Sequence, residues 1–186
     1  MLKINRILYP TDFSSTARHA LGHALFLAEQ FEAELHMLHA VISHERDPRA
    51  PERRFPEPPD ILQHLFEIAD SEMAQIIEAN QAKTFTLIEA KVQGFSAGQV
   101  ILNYANDHDI DLIIMGTHGR RGPARVFLGS VTEEVTRQAN CPVLTLRSQD
   151  KAPTGEAIEK ILVPIDFSDH SKAALSHARE IAALYG

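Results

Sequence analysis

Several features that would assign this 186-residue chain to a particular class are scarce or missing. Cys141 is its only cysteine, so the chain can form neither an intrachain disulfide framework nor a multi-cysteine zinc site. No apolar run approaches the ~20 residues that span a bilayer, and the first residues become polar too early for a signal peptide. We therefore expect a cytoplasmic protein without a membrane partner.

Positive charge is scarce as well. The chain has 18 Lys and Arg against 25 Asp and Glu, a formal net charge of −7. A protein with this balance has no large positive field to hold a phosphate backbone, so nucleic acid is not an expected partner. The apolar fraction of 44%, with 9 Gly and 10 Pro, is ordinary globular usage and is enough for a sizeable core.

The apolar residues form two alternating patterns. Short continuous runs indicate buried strands, and recurrence at every third or fourth position indicates amphipathic helices. This alternation predicts an α/β fold, a parallel sheet with helices on both faces. Predicted strands cover residues 6–10, 35–42, 85–92, 110–115 and 142–146; predicted helices cover 16–32, 61–82, 94–107 and 131–139; the proline-rich stretch 44–60 is a predicted loop.

The first strand and helix are repeated near the end of the chain. The sequence ILVPIDFS at 161–168 copies ILYPTDFS at 7–14. The match continues into the helix, where Leu21, His23, Ala24 and Ala28 recur as Leu175, His177, Ala178 and Ala182. We interpret residues 1–148 as a complete domain, 149–157 as a polar linker, and 158–186 as the incomplete start, first strand and helix, of a second domain of the same kind.

A glycine-rich motif begins where the most β-branched strand ends. It reads Gly116-x2-Gly119-x9-Gly129-Ser130. Glycine lets a ligand approach the backbone closely, although strand-to-helix turns also contain glycine for steric reasons. Neither a P-loop, G-x-x-x-x-G-K-[ST], nor a G-x-G-x-x-G after a strand is present.

The helix that follows this motif has two compatible interpretations. Ser130 and Glu133 have the spacing of a capping box, in which the serine hydroxyl satisfies a free amide of the first turn. The same free amides, with the positive end of the helix dipole, form an anion site to which the Ser130 and Thr132 hydroxyls would add donors.

Other polar residues carry weaker signals. Asp12 either caps the first helix or contacts a ligand. Arg120, Arg121 and Arg125 either pair with phosphates or solvate an exposed loop, and Arg120 is the best placed of the three.

The histidines and the cysteine have ordinary structural explanations. His36 and His39 lie three apart on a strand and therefore point to opposite faces. His19 and His23 share one side of a helix, where a surface setting is expected. Neither pair is expected to form a metal site, and no function is assigned to His108. Cys141 is expected to be a small buried apolar group rather than a nucleophile.

The motif at 116–130, the stretch Pro10-Thr11-Asp12-Phe13-Ser14 and the closing strand Cys141-Pro142-Val143-Leu144 together resemble the ATP-binding branch of the universal stress protein family. The resemblance covers residues 3–147 and restarts near residue 158. It implies a doubly wound, five-stranded parallel sheet of order 3-2-1-4-5. It also implies a ligand site where the first and fourth strands lie side by side.

The resemblance also implies the site residues. Pro10, Thr11 and Asp12 would face the adenine and ribose, and Ala40, or Val41 if the strand register slips, would offer backbone hydrogen bonds to the base. Met115 and Gly116 would line the ribose. The triphosphate would be surrounded by His118, Gly119, Gly129, Ser130, Val131 and Thr132.

The implied function is ATP binding, with AMP or ADP as alternatives and Mg²⁺ held through the phosphates. The protein would be a homodimeric stress-response or signalling module, paired through residues 142–146, with 158–186 packed on its own domain or exchanged between chains. No catalytic set is recognised, so slow hydrolysis is the most that is expected. The alternatives are an adenine-nucleotide enzyme, whose H-x-G-H or S-G-G-x-D-S motif is missing, and a ligand-free scaffold, which the intact glycine motif opposes.

Overall fold

The structure, a computed structural model, describes residues 3–42, 59–80, 84–117, 129–147 and 160–185. Each element predicted for residues 1–148 is present, with ends within three residues of the prediction. The strands are β1 (Arg6–Pro10), β2 (Glu34–Ile42), β3 (Leu87–Gly94), β4 (Leu112–Gly116) and β5 (Val143–Leu146); the helices are α1 (Ser15–Phe31), α2 (Pro59–Ala79), α3 (Ala97–Asp107), α4 (Ser130–Gln138) and α5 (Asp169–Tyr185). The predicted loop at 44–60 lies almost wholly outside the described residues.

The strands form one parallel sheet of order β3-β2-β1-β4-β5, which confirms the predicted doubly wound α/β fold. The central strand β1 pairs with β2 along its whole length, from Arg6 opposite Glu34 to Pro10 opposite Leu38. On its other side β1 pairs with β4 through Ile7 and Leu8. The strand order therefore reverses between β1 and β4, the place where open α/β sheets bind ligands.

Alternating side chains of β1 build the cores on the two faces of the sheet. Ile7 and Tyr9 belong to an apolar cluster with buried residues of α1 and α2. Leu8 belongs to a second cluster, with buried residues of α3 and α4. Helices thus cover both faces, as a strand without polar alternation requires.

The repeated unit forms its helix but not its predicted strand. Residues 160–166 have no regular secondary structure, and Leu162 and Phe167 are 93% and 85% exposed. A strand requires the backbone of a neighbour, and β1 has two. In the described part of the chain no strand pairs with 161–165, so the predicted strand does not form in this structure. Packing of the segment on its own domain, or its exchange between chains, stays a prediction.

The turn of the repeated unit nevertheless copies the first one closely. The Asp166 carboxylate accepts a hydrogen bond from the Ser168 amide over 3.0 Å, and Phe167 has a φ of 64°. In the first unit the Asp12 carboxylate accepts from the Ser14 amide over 3.0 Å, and Phe13 has a φ of 60°. Local sequence alone therefore specifies this turn. Among the helices in the described ranges, none is long and apolar enough to cross a membrane.

Candidate functional site

A cavity of about 580 Å³ opens at the carboxyl ends of β1, β2 and β4. It brings together ten of the thirteen predicted site residues, from four separate parts of the chain. They are Pro10, Thr11, Asp12, Ala40, Met115, Gly116, Gly129, Ser130, Val131 and Thr132. The other three, His118, Gly119 and Arg120, lie outside the described residues, as do Arg121 and Arg125.

The cavity has an apolar wall that sequence reasoning missed in part. The missed residues are one polar residue, His39, and five apolar ones, Ala17, Leu38, Ile42, Ala97 and Ile101. Leu38 and Ile42 are two residues from Ala40 on either side, so strand periodicity could have identified them. Val41, the alternative to Ala40, is buried at 1% exposure and does not line the cavity.

The turn after β1 satisfies the polar groups of Thr11 within the protein. The Thr11 amide donates to the Leu38 carbonyl over 2.8 Å, and its hydroxyl accepts from the Phe13 amide over 3.0 Å. The Tyr9 hydroxyl lies 3.2 Å from the Thr11 hydroxyl and 2.8 Å from the Ala17 carbonyl. Burial raises the pKa of Tyr9 to about 12. The Thr11 side chain therefore supports the turn, and the expectation that Thr11 faces the adenine and ribose stays a prediction.

Asp12 lines the cavity and does not cap the following helix. The N-cap of α1 is Ser14, whose hydroxyl accepts from the Ala17 amide over 3.2 Å. One oxygen of Asp12 accepts from the Ser14 amide, an interaction that shapes the turn before the helix. The structure therefore excludes one of the two interpretations of Asp12, direct capping of α1.

Helix α4 points its amino terminus at the cavity. Gly129 is the N-cap and Ser130 is the first helical residue, so the predicted capping box does not form. The prediction took Ser130 as the N-cap, one residue later than the observed N-cap. The Glu133 amide donates to the Gly129 carbonyl over 2.8 Å. Within the described residues the N-cap supplies no side-chain hydrogen bond to this turn. Its first amides have no acceptor inside the helix, and they carry the positive end of the dipole.

Thr132 uses its hydroxyl inside the protein. The hydroxyl donates to the Gly116 carbonyl over 3.0 Å, and Thr132 is only 3% exposed. A hydroxyl has one proton, and leaving it unpaired in a buried site is costly. The hydroxyl proton is therefore used within the protein in this structure, and donation from this hydroxyl to a phosphate stays a prediction.

Gly116 lacks a side chain for a steric reason. A Cβ at this position would lie 2.8 Å from Cγ2 of Thr16 and 3.0 Å from its backbone carbonyl, in the first turn of α1. Close packing of α1 on the end of β4 therefore requires glycine here, whether or not a ligand is bound.

The histidines and Cys141 occupy structural positions. His36 Nδ1 lies 2.9 Å from the Tyr104 hydroxyl, and the Tyr104 ring stacks on His108 with centroids 3.8 Å apart. His19 lies partly exposed on α1, although its Nε2 atom is buried and finds no hydrogen-bond partner in the described part of the chain. Burial raises the pKa of Cys141. Within the described ranges, no three His, Cys, Asp or Glu side chains could hold a metal ion.

Comparison with known proteins shows that a family model matches most of this chain. The model of the universal stress protein family matches residues 3–147. Universal stress protein MJ0577 of Methanocaldococcus jannaschii is 31% identical over 165 residues, which cover 78% of this chain and 96% of that protein. The solved structure of MJ0577 superimposes with a TM-score of 0.67 over 80% of this chain and 99% of its own.

Two more distant structures share the fold. A universal stress protein crystallised in complex with cAMP is 20% identical, with a TM-score of 0.53 over 78% of this chain and 98% of its own. A putative universal stress protein from Pseudomonas aeruginosa is 22% identical, with a TM-score of 0.61 over 98% of this chain and 58% of its own.

Proposed function

Because the chain belongs to the universal stress protein family, we propose that it binds an adenine nucleotide, ATP above all, in the cavity at the carboxyl ends of β1 and β4. One observation carries the proposal: an apolar wall and the amino terminus of α4 open onto the same cavity. An apolar surface suits a base, and a helix amino terminus suits phosphate.

The base is proposed to lie against the apolar wall and to bond with the backbone of Ala40. The Leu38 carbonyl points toward β1, where it accepts from the Thr11 amide. Backbone groups two residues apart on a strand point the same way. The amide and carbonyl of Ala40 therefore point past the end of β1, where no strand pairs with them in the described register. That direction supports a donor and an acceptor for the adenine edge.

The sugar and phosphates are proposed to extend from this wall toward α4. Asp12 would accept hydrogen bonds from ribose hydroxyls, with Pro10, Met115 and Gly116 beside the sugar. The amides of Ser130, Val131 and Thr132 would bind the phosphates, supported by the dipole of α4. His118, Gly119 and Arg120, which belong to the same motif, would complete the phosphate site.

Magnesium is proposed to enter with the nucleotide. Such an ion, held by phosphate oxygens and waters, would neutralise triphosphate charge at the mouth of the cavity. We propose further that bound ATP biases a conformation or an assembly and is hydrolysed slowly at most. The protein would act in the cytoplasm as a homodimeric stress-response or signalling module.

We also propose that the carboxyl-terminal segment of the chain is the start of a second domain. Residues 158–186 repeat the sequence and the turn geometry of the first unit. The coverage of 98% of this chain by the Pseudomonas aeruginosa fold supports the same interpretation. The exposed apolar side chains of residues 158–186, Leu162 and Phe167 among them, are proposed to be covered by a second copy of the chain.

Isothermal titration calorimetry tests the proposed ligand. ATP with excess Mg²⁺ is expected to bind in the micromolar range or tighter, and adenosine far more weakly because it lacks the phosphates. Chelation of the metal should weaken ATP binding. Gly119→Val should abolish it while circular dichroism stays native. Equal affinities for ATP and adenosine would contradict the phosphate site, and no heat from either ligand would contradict the function.

A further inference from the structure

His39 is a cavity residue whose contacts lie on the turn after β1. Its Nδ1 atom is 2.8 Å from the Thr11 carbonyl oxygen. Its ring stacks on Phe13, with centroids 4.6 Å apart and an interplanar angle of 30°. His39 thus contacts the residues on both sides of Asp12, which lines the same cavity.

The hydrogen bond to Thr11 fixes the tautomer of the imidazole. A carbonyl oxygen can only accept, so Nδ1 of His39 must carry a proton. The bond persists when the ring is neutral and when it is fully protonated, because Nδ1 is a donor in both forms.

The turn that His39 holds is in an unfavourable backbone conformation. Phe13 has a φ of 60°, in the left-handed region that a bulky residue rarely adopts. The same turn forms around Phe167 in the repeated unit, so the local sequence favours it by itself. In the first unit the His39 ring on Phe13 and the two hydrogen bonds to Thr11, one from His39 and one from the Phe13 amide, add tertiary contacts that fix its position in the cavity.

We propose that His39 is a positioning residue, which holds the Thr11–Phe13 turn so that the Asp12 carboxylate is aimed at the ribose hydroxyls. It thereby sets the preference of the site for a ribonucleotide over one that lacks these hydroxyls. This inference rests on the proposed nucleotide function and names a residue that the sequence motifs did not include.

The test compares ATP with 2′,3′-dideoxy-ATP, which lacks both hydroxyls, by calorimetry. A hydrogen bond to a charged group corresponds to about a tenfold or larger change in affinity. The wild-type protein should therefore bind ATP about tenfold or more tightly than the dideoxy analogue. His39→Phe keeps a ring on Phe13 and removes the donor, so the ratio of the two affinities should fall to about twofold.

A matched pair of variants separates positioning from folding. His39→Asn places an amide nitrogen near the position of Nδ1 and should keep most of the preference. His39→Gln places its nitrogen near Nε2 and should lose it. Nitrogen NMR of the unliganded wild type should show a proton on Nδ1, a result that requires no variant to fold.

The outcomes distinguish the two claims. Failure of the wild type to bind either nucleotide would contradict the proposed function itself. Binding of ATP with an unchanged preference in His39→Phe and His39→Gln would overturn the role of His39 alone. Equal weakening of both nucleotides, or a neutral ring with its proton on Nε2, would overturn it as well.

Discussion

The Thr132 hydroxyl donates a hydrogen bond to the Gly116 carbonyl, with 3.0 Å between the two oxygens. This bond joins the first turn of α4 to the last residue of β4, the two elements on either side of the proposed phosphate position. Both residues were predicted to contact the ligand. Both line the cavity, and the side chain of Thr132 and the missing side chain of Gly116 also hold the framework of the site.

Thr132→Val removes this bond without changing the shape of the side chain. The variant should lose about 1–3 kcal/mol of unfolding free energy, because the partly buried Gly116 carbonyl loses this donor. Thr132→Ser keeps the hydroxyl and should lose less. Urea denaturation measures both, and a Thr132→Val protein as stable as the wild type would show that the bond contributes nothing.

Gly116→Ala should destabilise the protein and Gly98→Ala should not. At Gly116 the new methyl group meets the α1 backbone at Thr16, which cannot move easily, so a loss of about 1–3 kcal/mol is expected. At Gly98 the nearest atoms belong to the flexible carboxylate of Glu134. Alanine there should be neutral or stabilising by up to about 1 kcal/mol, because it favours the helix. The melting temperatures of the two variants, measured by thermal unfolding, test this prediction. Equal melting temperatures would contradict the packing argument.

His36 should make the fold less stable in acid. Burial lowers its pKa below the ordinary value of about 6.5, although the Glu34 carboxylate opposes the shift and the charges of His108 and Arg6 add to it. The unfolded chain therefore takes up a proton first, and stability falls as the pH drops below about 6.5.

The measurement for His36 is the unfolding free energy at several pH values between 5 and 8. His36→Asn keeps a group that can bond the Tyr104 hydroxyl but cannot titrate. It should show a shallower loss of stability in acid than the wild type. Identical slopes for the two proteins would assign the acid sensitivity to other groups.

The exposed tail should become protected in a dimer. Light scattering at tens of micromolar should give the mass of two chains, and amides of Ile161–Ile165 should exchange more slowly than in an unfolded peptide. Leu162→Ser, which removes a side chain exposed in one chain, should weaken this protection. A monomer mass would contradict the dimer, and exchange at the unfolded rate would contradict covering of the tail.

Local sequence patterns predicted the strands and helices well because buried strands require continuous apolar runs and buried helix faces require apolar residues at helical spacing. The run around Ile113 and the helical spacing around Ala24 both mark residues that are fully buried. The exact start of α4 was misjudged because Ser130 and Glu133 have capping-box spacing, yet the helix begins one residue earlier than that spacing requires.

The failures of prediction concern contacts between distant parts of the chain. His39 and Thr11 are 28 residues apart and meet only because Pro10 pairs with Leu38 in the sheet. The segment 161–165 has the sequence of a strand, but a strand also needs neighbours, which no local pattern supplies. The predictions of the sheet order and of the ligand position were based on the family resemblance, because periodicity does not specify which strands are neighbours.

The central claim, that ATP occupies the cavity at the carboxyl ends of β1 and β4, is tested most directly by titrating ATP into a matched pair of variants. Ala97 lines the cavity at the start of α3, whereas Gln99, two residues along the helix, is exposed. Ala97→Phe should fill the cavity and abolish ATP binding while circular dichroism stays native. Gln99→Phe should bind ATP like the wild type. Wild-type affinity in a natively folded Ala97→Phe protein would contradict the account.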